Sequence, residues 1–263
     1  MMDLSSNASS RVSAVGTNKK RLFDFYIEDL DCNIIYTKIY NAIKSKQKLV
    51  INYVNTNTIR LTRKNNDIKE ALKNADIIHS DGVGFWLGSK LFNGAKLKYR
   101  FNFTDCSLKI LRDIQSNGWS IFLLGSTDNI LKMAVNKLKQ DIPGVKIVGV
   151  CNGYDDIKTK DIVSIINEKT PDILWVGMGT PTQELWIYEN KNKLNCTVIQ
   201  SVGDLITYMA GRKTRGPVII QKIGFEWLIR FLRHPIIYFD RYIIGIPVFF
   251  FLLIKEYFTN SNK

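Results

Sequence analysis

Residues 172–183 read DILWVGMGTPTQ, and this stretch defines the structural unit from which the fold is built. Residues 173–176 form a short apolar run bounded by polar and glycine positions, which predicts a buried strand. The following residues replace apolar side chains with two glycines, a Thr-Pro turn and a Gln-Glu pair. A core strand that ends in this way raises the question of what its carboxyl end contacts.

The same strand–turn–helix unit recurs along the chain. Apolar runs of strand length alternate with longer amphipathic stretches, which predicts an α/β fold with a mostly parallel sheet and helices on both faces. Strands are expected at residues 49–54, 76–79, 120–124, 146–150, 172–176 and 197–202. Helices are expected at residues 35–44, 67–74, 85–91, 106–117, 129–140, 157–168 and 182–192.

Three segments that follow predicted strands carry unusual residues. They are NTNT at 55–58, SDGVG at 80–84 and GMGTPTQE at 177–184. Ligands of parallel sheets bind outside the carboxyl ends of the strands, so these three segments are expected to converge on one cleft.

The third segment combines backbone and side-chain groups suited to an anionic, hydroxyl-rich ligand. Its glycines allow close approach of the backbone, and the free N–H groups of the next helix start form an anion site. Gln183 and Glu184 are predicted to hydrogen-bond uracil, ribose or sugar hydroxyls. The alternative is a plain connection capped by Thr180 or Thr182. The predicted contact positions are Gly177, Gly179, Pro181, Thr182, Gln183 and Glu184.

The other two segments carry a candidate base and candidate sugar contacts. Asp81 is a candidate general base, with Gly82 and Gly84 leaving space for substrate, and the alternative is that Asp81 caps the next helix. Asn55, Thr56 and Asn57 fit either a turn or contacts to sugar hydroxyls. Arg100 fits either a bidentate diphosphate contact or a solvated surface position. These candidate positions are Asn55, Thr56, Asn57, Asp81, Gly82, Gly84 and Arg100.

Composition restricts the class of partner. A net charge of +13 and a pI near 9.5 favour an anionic partner, although a Lys- and Asn-rich composition explains part of that charge. The basic residues match no nucleic-acid-binding motif, so no nucleic-acid partner is expected.

The four cysteines and two histidines show no metal-ligand or disulfide spacing, which predicts reduced thiols and no metal site.

The chain is expected to have three parts. Residues 1–20 lack an apolar core segment and are predicted to be a disordered leader, residues 21–210 the α/β core, and residues 211–263 a C-terminal appendage. The segment 212–263 holds nine Lys and Arg against three Asp and Glu, interleaved with aromatics. Its apolar run at 243–254 is too short to span a membrane, which leaves a membrane surface or a protein partner such as a second copy.

Arg230 and Arg233 lie one helical turn apart in the appendage. An i, i+4 pair between Glu226 and Arg230 explains Arg230 structurally. Alternatively, Arg215, Arg230 and Arg233 close over a diphosphate leaving group and stabilise its charge.

Taken together, these motifs resemble the WecG/TagA/CpsF family of bacterial glycosyltransferases. The resemblance covers roughly residues 23–251 and rests on SDGVG, Arg100, GMGTPTQELW, AGRKTRGP, GFEWLIRFLRHP and the final RY in that order. It implies a Rossmann-like core of the GT-E type, with a basic, apolar appendage that docks on the membrane and completes the active site. It also implies inverting transfer from a UDP-sugar to a polyprenyl-diphosphate-linked acceptor, without a metal or other cofactor.

The resemblance also assigns roles to particular residues. Asp81 matches the catalytic base, Asn57 the Asn of a Thr-x-Asn motif, and Gln183 a glutamine of the substrate pocket. Arg100 matches an arginine that meets phosphate, and Arg215, Arg230 and Arg233 match arginines of the appendage. Asn55 stands where the family has Thr, Asn102-Phe103 where Gly is usual, Gly216 where Ala is usual and Thr207 where Asp is frequent. These departures leave the sugar donor and acceptor open.

The sequence therefore predicts a glycosyltransferase of bacterial cell-surface polysaccharide or teichoic acid synthesis. It would act in the cytoplasm, peripherally on the inner face of the cell membrane, with an N-acetylmannosamine-type sugar or another hexose as donor sugar. The alternative is a non-catalytic nucleotide-sugar binding protein at the membrane. Only a catalyst would consume its donor when acceptor is added.

Overall fold

A computed structural model of the chain describes residues 18–91, 95–213 and 216–261. In these residues the strands form one sheet in the order β1-β2-β4-β3-β8-β7-β5-β6, in which only the β1–β2 pair is antiparallel. The strands are β1 (Lys19–Leu22), β2 (Phe25–Glu28), β3 (Leu49–Val54), β4 (Ile77–Ser80), β5 (Ser120–Gly125), β6 (Lys146–Cys151), β7 (Ile173–Gly177) and β8 (Val198–Ser201). This arrangement confirms the predicted α/β class.

The helices of the core lie on both faces of this sheet. They are α1 (Cys32–Ser45), α2 (Thr56–Thr62), α3 (Asn66–Lys73), α4 (Val83–Lys90), α5 (Phe103–Ser116), α6 (Asp128–Asp141), α7 (Asp156–Thr159), α8 (Ile162–Lys169), α9 (Thr182–Asn190) and α10 (Leu205–Met209). The appendage adds α11 (Val218–Ile223), α12 (Glu226–Arg233), α13 (Pro235–Phe239), a π-helical turn (Asp240–Ile244) and α14 (Gly245–Ser261).

Side-chain caps and apolar faces explain where several helices begin and how they pack. The Asp31 carboxylate accepts hydrogen bonds from the N–H groups of Asn33 and Ile34 at the start of α1, at 2.9 and 2.8 Å. Asn102 caps α5 through the Thr104 N–H at 2.9 Å. Apolar residues of α1, α5, α6 and α10 cover one face of the sheet, and those of α8 and α9 cover the other.

The first two strands form a hairpin that the sequence analysis did not predict. Strand β1 begins at Lys19, inside the stretch assigned to a leader, while residues 1–17 lie outside the described residues. The hairpin turns at Phe23, whose φ of +56° lies in the left-handed region. Phe23 is buried against Phe249 of α14, with ring centroids 5.8 Å apart. Burial of a large aromatic side chain offsets this unfavourable backbone conformation.

The apolar run of the appendage belongs to a longer helix than predicted. Pro235–Thr259 is a helical segment of 25 residues, which by length and composition alone could cross a membrane. The helix continues through Gly245 and Pro247, so the expectation that this segment is too short to span a membrane is wrong for the helix as a whole, by length and composition. A π-helical turn at Asp240–Ile244 includes Ile243, the residue whose carbonyl would accept the α-helical hydrogen bond that Pro247 cannot donate.

One face of α14 packs on the core. Phe249 and Leu253 are fully buried in a cluster with Phe23 and Phe85, and each stabilises the docked helix by roughly 1.5–3 kcal/mol. The opposite face exposes large apolar side chains, among them Phe251. The run therefore packs on protein along one side only.

The expectation of four reduced cysteines is wrong for two of them. Cys32 and Cys106 form a disulfide, whereas Cys151 and Cys196 are free and buried. The paired cysteines are separated by 74 positions in sequence, so their spacing gives no signal. Their helices α1 and α5 pack side by side and bring the two Cα atoms to 5.4 Å.

The sheet topology places a cleft beside β3 and β8. The chain passes from β3 to its neighbour β4 and then crosses to β5 on the other half of the sheet. Order reversals of this kind leave a crevice at the carboxyl ends of the strands. The strands that end there are β4, β3, β8 and β7, which are consecutive in the sheet.

Candidate active site

Two adjoining cavities lie at the carboxyl ends of these strands. The first, which we call the polar cavity, has a volume of about 230 Å³ and is lined by residues that include Tyr53, His79, Thr180 and Tyr208. The second, the apolar cavity, has a volume of about 320 Å³ and lies between α4 and the appendage. Both cavities are lined by the same five side chains: Asn55, Asp81, Asn102, Arg230 and Arg241.

Asp81 lies at this junction and does not cap a helix. It directly follows β4, and its N–H is held by the Val54 carbonyl at 2.8 Å. The next helix, α4, has Gly82 at its N-cap position and no side-chain cap. Burial raises the pKa of the Asp81 carboxyl above its ordinary value, against the opposing charges of Arg230 and Arg241. A carboxylate held in this way can accept a proton from a ligand hydroxyl.

Gly82 and Gly84 line the apolar cavity for different structural reasons. Gly82 adopts a φ of +86°, which places α4 behind Asp81 and which other residues rarely adopt. A Cβ on Gly84 would lie 2.9 Å from the Thr56 methyl group. The absence of a side chain at Gly84 therefore lets α4 approach α2. Gly84 was predicted to leave space for substrate, but the space that it leaves is occupied by the Thr56 methyl group.

The NTNT segment forms a helix start that the sequence analysis did not predict. Asn55 caps α2, with its Oδ1 accepting hydrogen bonds from the Thr58 N–H at 3.0 Å and hydroxyl at 3.1 Å. The Asn55 side chain also acts to lower the pKa of the Asp81 carboxyl, against the larger effect of burial. Asn57 Oδ1 accepts a hydrogen bond from Arg60 at 3.0 Å. Asn55, Thr56 and Asn57 all line the cleft, as predicted, but the two asparagines also hold their own backbone and neighbours.

The GMGTPTQE segment reaches the cleft through Gly179 and Thr180 only. Gly179 has a φ of +80° and lines the polar cavity. A Cβ on Gly177 would lie 2.8 Å from the Gly203 carbonyl, so this glycine permits close packing within the protein. Pro181 and Thr182 lie outside the lining of both cavities. Gly177, Pro181 and Thr182 therefore lie outside the lining of the cleft in which their ligand contacts were expected.

Gln183 and Glu184 are buried beneath the polar cavity and do not line it. The Gln183 amide donates to Tyr53 Oη at 3.0 Å and to Glu184 Oε1 at 2.8 Å, and its oxygen accepts from the Gly203 N–H at 3.0 Å. Thr180 also donates to Glu184 Oε1, at 3.0 Å. This network holds three residues that do line the cavity, Tyr53, Thr180 and Gly203. Both side chains are therefore directed into the protein and not toward the cavity in which their sugar contacts were expected.

Glu184→Gln is expected to change how stability depends on pH. Burial raises the pKa of Glu184 from 4.5 to about 7, so the unfolded chain ionises at lower pH than the folded protein. Wild-type stability contributed by this group is complete below about pH 4.5 and is lost as pH rises through 7. Relative to wild type, the variant should therefore gain about 2–3 kcal/mol in free energy of unfolding between pH 5 and 8.

Urea unfolding of both proteins at the two pH values measures this difference. Glu189→Gln changes an exposed carboxylate on the same helix and is the matched control, expected to follow wild type. Equal pH dependence of the Glu184 variant and wild type would show that Glu184 is ionised in the folded protein.

The predicted arginines fall into three groups. Arg230 lines both cavities, lies 3.6 Å from Glu226 and places its guanidinium 5.5 Å from the Tyr208 ring centroid. Arg100 lines the apolar cavity and donates to the Gln221 carbonyl in α11 at 2.9 Å. Arg233 is exposed and lies outside both linings, while Arg215 lies outside the described residues.

Sequence reasoning missed several residues of the cleft. Arg241 lines both cavities, Tyr242 lines the apolar cavity, and His79 lines the polar one. Burial lowers the pKa of His79 to about 4, so this side chain is neutral near pH 7. These residues belong to the DIIH and RY segments of the sequence. The direction of the His79 side chain depends on the sheet register, and the directions of Arg241 and Tyr242 depend on the π-helical turn.

The described residues contain no group of three or more His, Cys, Asp or Glu side chains that could hold a metal ion. The positive charges at the junction of the cavities come from Arg230 and Arg241. Guanidinium groups recognise phosphate and carboxylate oxygens through paired donors.

By its fold and its cleft, the chain is an α/β protein in which a carboxylate and two arginines lie where a polar and an apolar cavity meet. Comparison with known proteins gives the family. The sequence pattern of the Glycosyl transferase WecG/TagA/CpsF family matches residues 20–263, and the chain belongs to this family. The predicted family is thereby confirmed.

Curated relatives from Staphylococcus aureus are similar over three quarters of the chain. The protein of strain NCTC 8325 / PS 47 is 30% identical over 195 residues, which cover 74% of this chain and 76% of the relative. The protein of strain MRSA252 is 29% identical over the same length. Both relatives are called N-acetylglucosaminyldiphosphoundecaprenol N-acetyl-beta-D-mannosaminyltransferase.

Proposed function

We propose that this glycosyltransferase moves a sugar from a UDP-sugar, bound in the polar cavity, to a polyprenyl-diphosphate-linked sugar that enters through the apolar cavity. The observation that carries the proposal is the position of Asp81 and two arginines where the cavities meet. The names of the relatives support an N-acetylmannosamine-type donor sugar and an acceptor that ends in N-acetylglucosamine.

The reaction is a single displacement. Asp81 accepts the proton of the acceptor hydroxyl as its oxygen forms a bond to the anomeric carbon. The bond from that carbon to the β-phosphate oxygen breaks on the opposite face, so the configuration inverts. Arg230 and Arg241 stabilise the negative charge that develops on departing UDP, and the proposed reaction uses no metal ion.

The apolar cavity suits a lipid-linked acceptor because apolar side chains also surround its opening. Leu87, Ile223 and Phe225 line this cavity and are each 45–53% exposed at the surface. The exposed apolar face of the appendage continues from there. Its most exposed members are Ile219, Leu232, Ile236, Ile237, Phe251 and Phe258. A membrane surface would cover this face and deliver a polyprenyl chain to the cavity.

The membrane proposal predicts weaker liposome binding when exposed apolar residues become acidic. Ile236 and Ile237 are 91% and 73% exposed, so Ile236→Asp/Ile237→Asp should leave the core intact and lower the bound fraction at least tenfold. Co-sedimentation with vesicles that contain anionic lipid measures this change. Tyr26→Asp, on the exposed side of β2, is a control outside the appendage. Equal binding by wild type and the double variant would contradict the interfacial role.

The transfer proposal is tested with purified full-length protein, a panel of UDP-sugars and a short-chain polyprenyl-diphosphate N-acetylglucosamine. Acceptor-dependent release of UDP from one donor, unaffected by EDTA, is the expected result. UDP binding without release from any donor, with or without acceptor, would favour a non-catalytic nucleotide-sugar binding protein. Sensitivity to EDTA would contradict the metal-independent step.

A further inference from the structure

An ion pair between Arg60 and Asp240 connects the appendage to the turn beside the cleft, and neither residue belongs to the family motifs. Arg60 lies on α2, one turn beyond Asn57, and its side chain is 9% exposed. Its guanidinium donates to both carboxylate oxygens of Asp240, with Nη1 3.0 Å from Oδ1, and also to Asn57 Oδ1 at 3.0 Å. This bidentate pair joins positions 180 residues apart.

Asp240 opens the π-helical turn that interrupts the appendage helix. The turn places consecutive residues on different sides: Asp240 meets Arg60, Arg241 lines both cavities, and Tyr242 is buried against Trp227 and Tyr238. A π-helical turn changes the direction of the side chains that follow it, and such turns are frequent at functional sites.

The backbone beside the ion pair is also closely packed. A Cβ on Gly245 would lie 3.3 Å from the Asp240 carbonyl and 3.5 Å from Arg60 Nε. Asp240 itself is 64% exposed, whereas Arg60 is buried. Removal of the carboxylate would leave a buried guanidinium with fewer partners, so the pair restrains the appendage more than an exposed ion pair does.

We propose that Arg60 and Asp240 are positioning residues that hold Arg241 against the leaving diphosphate, so that the turn after β3 and the appendage form one donor site. The proposal rests on the transferase function argued above. Arg241 is the residue that faces substrate, and the ion pair acts through it. Arg60 also holds Asn57, and through this contact the same pair connects Arg241 to the polar cavity.

A double-mutant cycle on the full chain tests this coupling. Arg241→Gln should lower kcat/KM for the UDP-sugar about a hundredfold, and Asp240→Asn about tenfold. If Asp240 acts through Arg241, the double variant should match Arg241→Gln within about twofold. Asp240→Glu keeps the carboxylate and should retain activity within about threefold of wild type.

Glu256→Gln is the matched control, because it also removes a carboxylate of the appendage that pairs with an arginine, at 3.9 Å from Arg63 and away from both cavities. Multiplied losses of about a thousandfold in the double variant would overturn the proposal, as would an Asp240→Asn variant equal to wild type. Asp81→Asn in the same assay separates the two proposals. Full activity of this variant would contradict the proposed reaction. Multiplied losses in the Asp240→Asn/Arg241→Gln double variant would contradict only the positioning role.

Discussion

Asp81→Asn should lower kcat by about a thousandfold, within the range of 10²–10⁴ that general acid–base catalysis contributes. The amide keeps the size of the side chain but cannot take up the proton of the acceptor hydroxyl. Because burial raises the pKa of Asp81, the wild-type rate should also fall as the pH is lowered through a value above the ordinary pKa of an Asp carboxyl.

Steady-state transfer measured across pH checks both statements. UDP affinity of the variant, measured by calorimetry, is the control and should be at least that of wild type, since the substitution keeps the size of the side chain and removes a negative charge beside the donor site. A variant that retains more than a tenth of the wild-type kcat would remove Asp81 from the role of base.

Arg230→Gln should lower kcat/KM for the UDP-sugar by about 10²–10³, the usual effect of removing one group that stabilises developing charge. Arg230 reaches the junction from α12 and is fixed there by Glu226 and by the ring of Tyr208. Glutamine can replace a hydrogen bond but not the charge. The loss should therefore appear mainly in kcat, with intact folding verified by thermal unfolding.

Arg233→Gln is the matched control for this prediction. The sequence gives Arg233 the same motif and helix as Arg230, three positions away, but the structure leaves it exposed and outside both cavities. Activity within threefold of wild type is expected. Equal losses in the two variants would contradict the assignment of Arg230, and not Arg233, to the junction.

Most of the sheet could be predicted because apolar runs alternate regularly with helices. Strand β3 has the predicted bounds, and each of the other predicted strands differs by one residue at one or both ends. The β1–β2 hairpin was missed because both strands have only four residues, KKRL and FYIE, and the first is mostly basic. Its turn at Phe23 also lacks the Gly or Asn that usually marks such a turn.

The sequence was sufficient to predict which strand ends form the site. Asp81, Gly179 and the Asn55–Asn57 segment reach one cleft because adjacent parallel strands end at one edge of the sheet. Sequence could not show that Gln183 and Glu184 turn inward, because the direction of the first turn of α9 depends on the contacts of Tyr53 and Gly203. The position of Arg241 at the cleft could not be predicted, because it depends on the π-helical turn.

The decisive measurement for the transfer geometry is a crystal structure of the full-length protein with an unreactive UDP-sugar analogue. We expect uridine in the polar cavity, with β-phosphate oxygens within hydrogen-bond distance of Arg230 and Arg241. The anomeric carbon should face Asp81, toward the apolar cavity. A UDP-sugar bound with its anomeric carbon turned away from Asp81, or outside the polar cavity, would rule out Asp81 as the base and the polar cavity as the donor site.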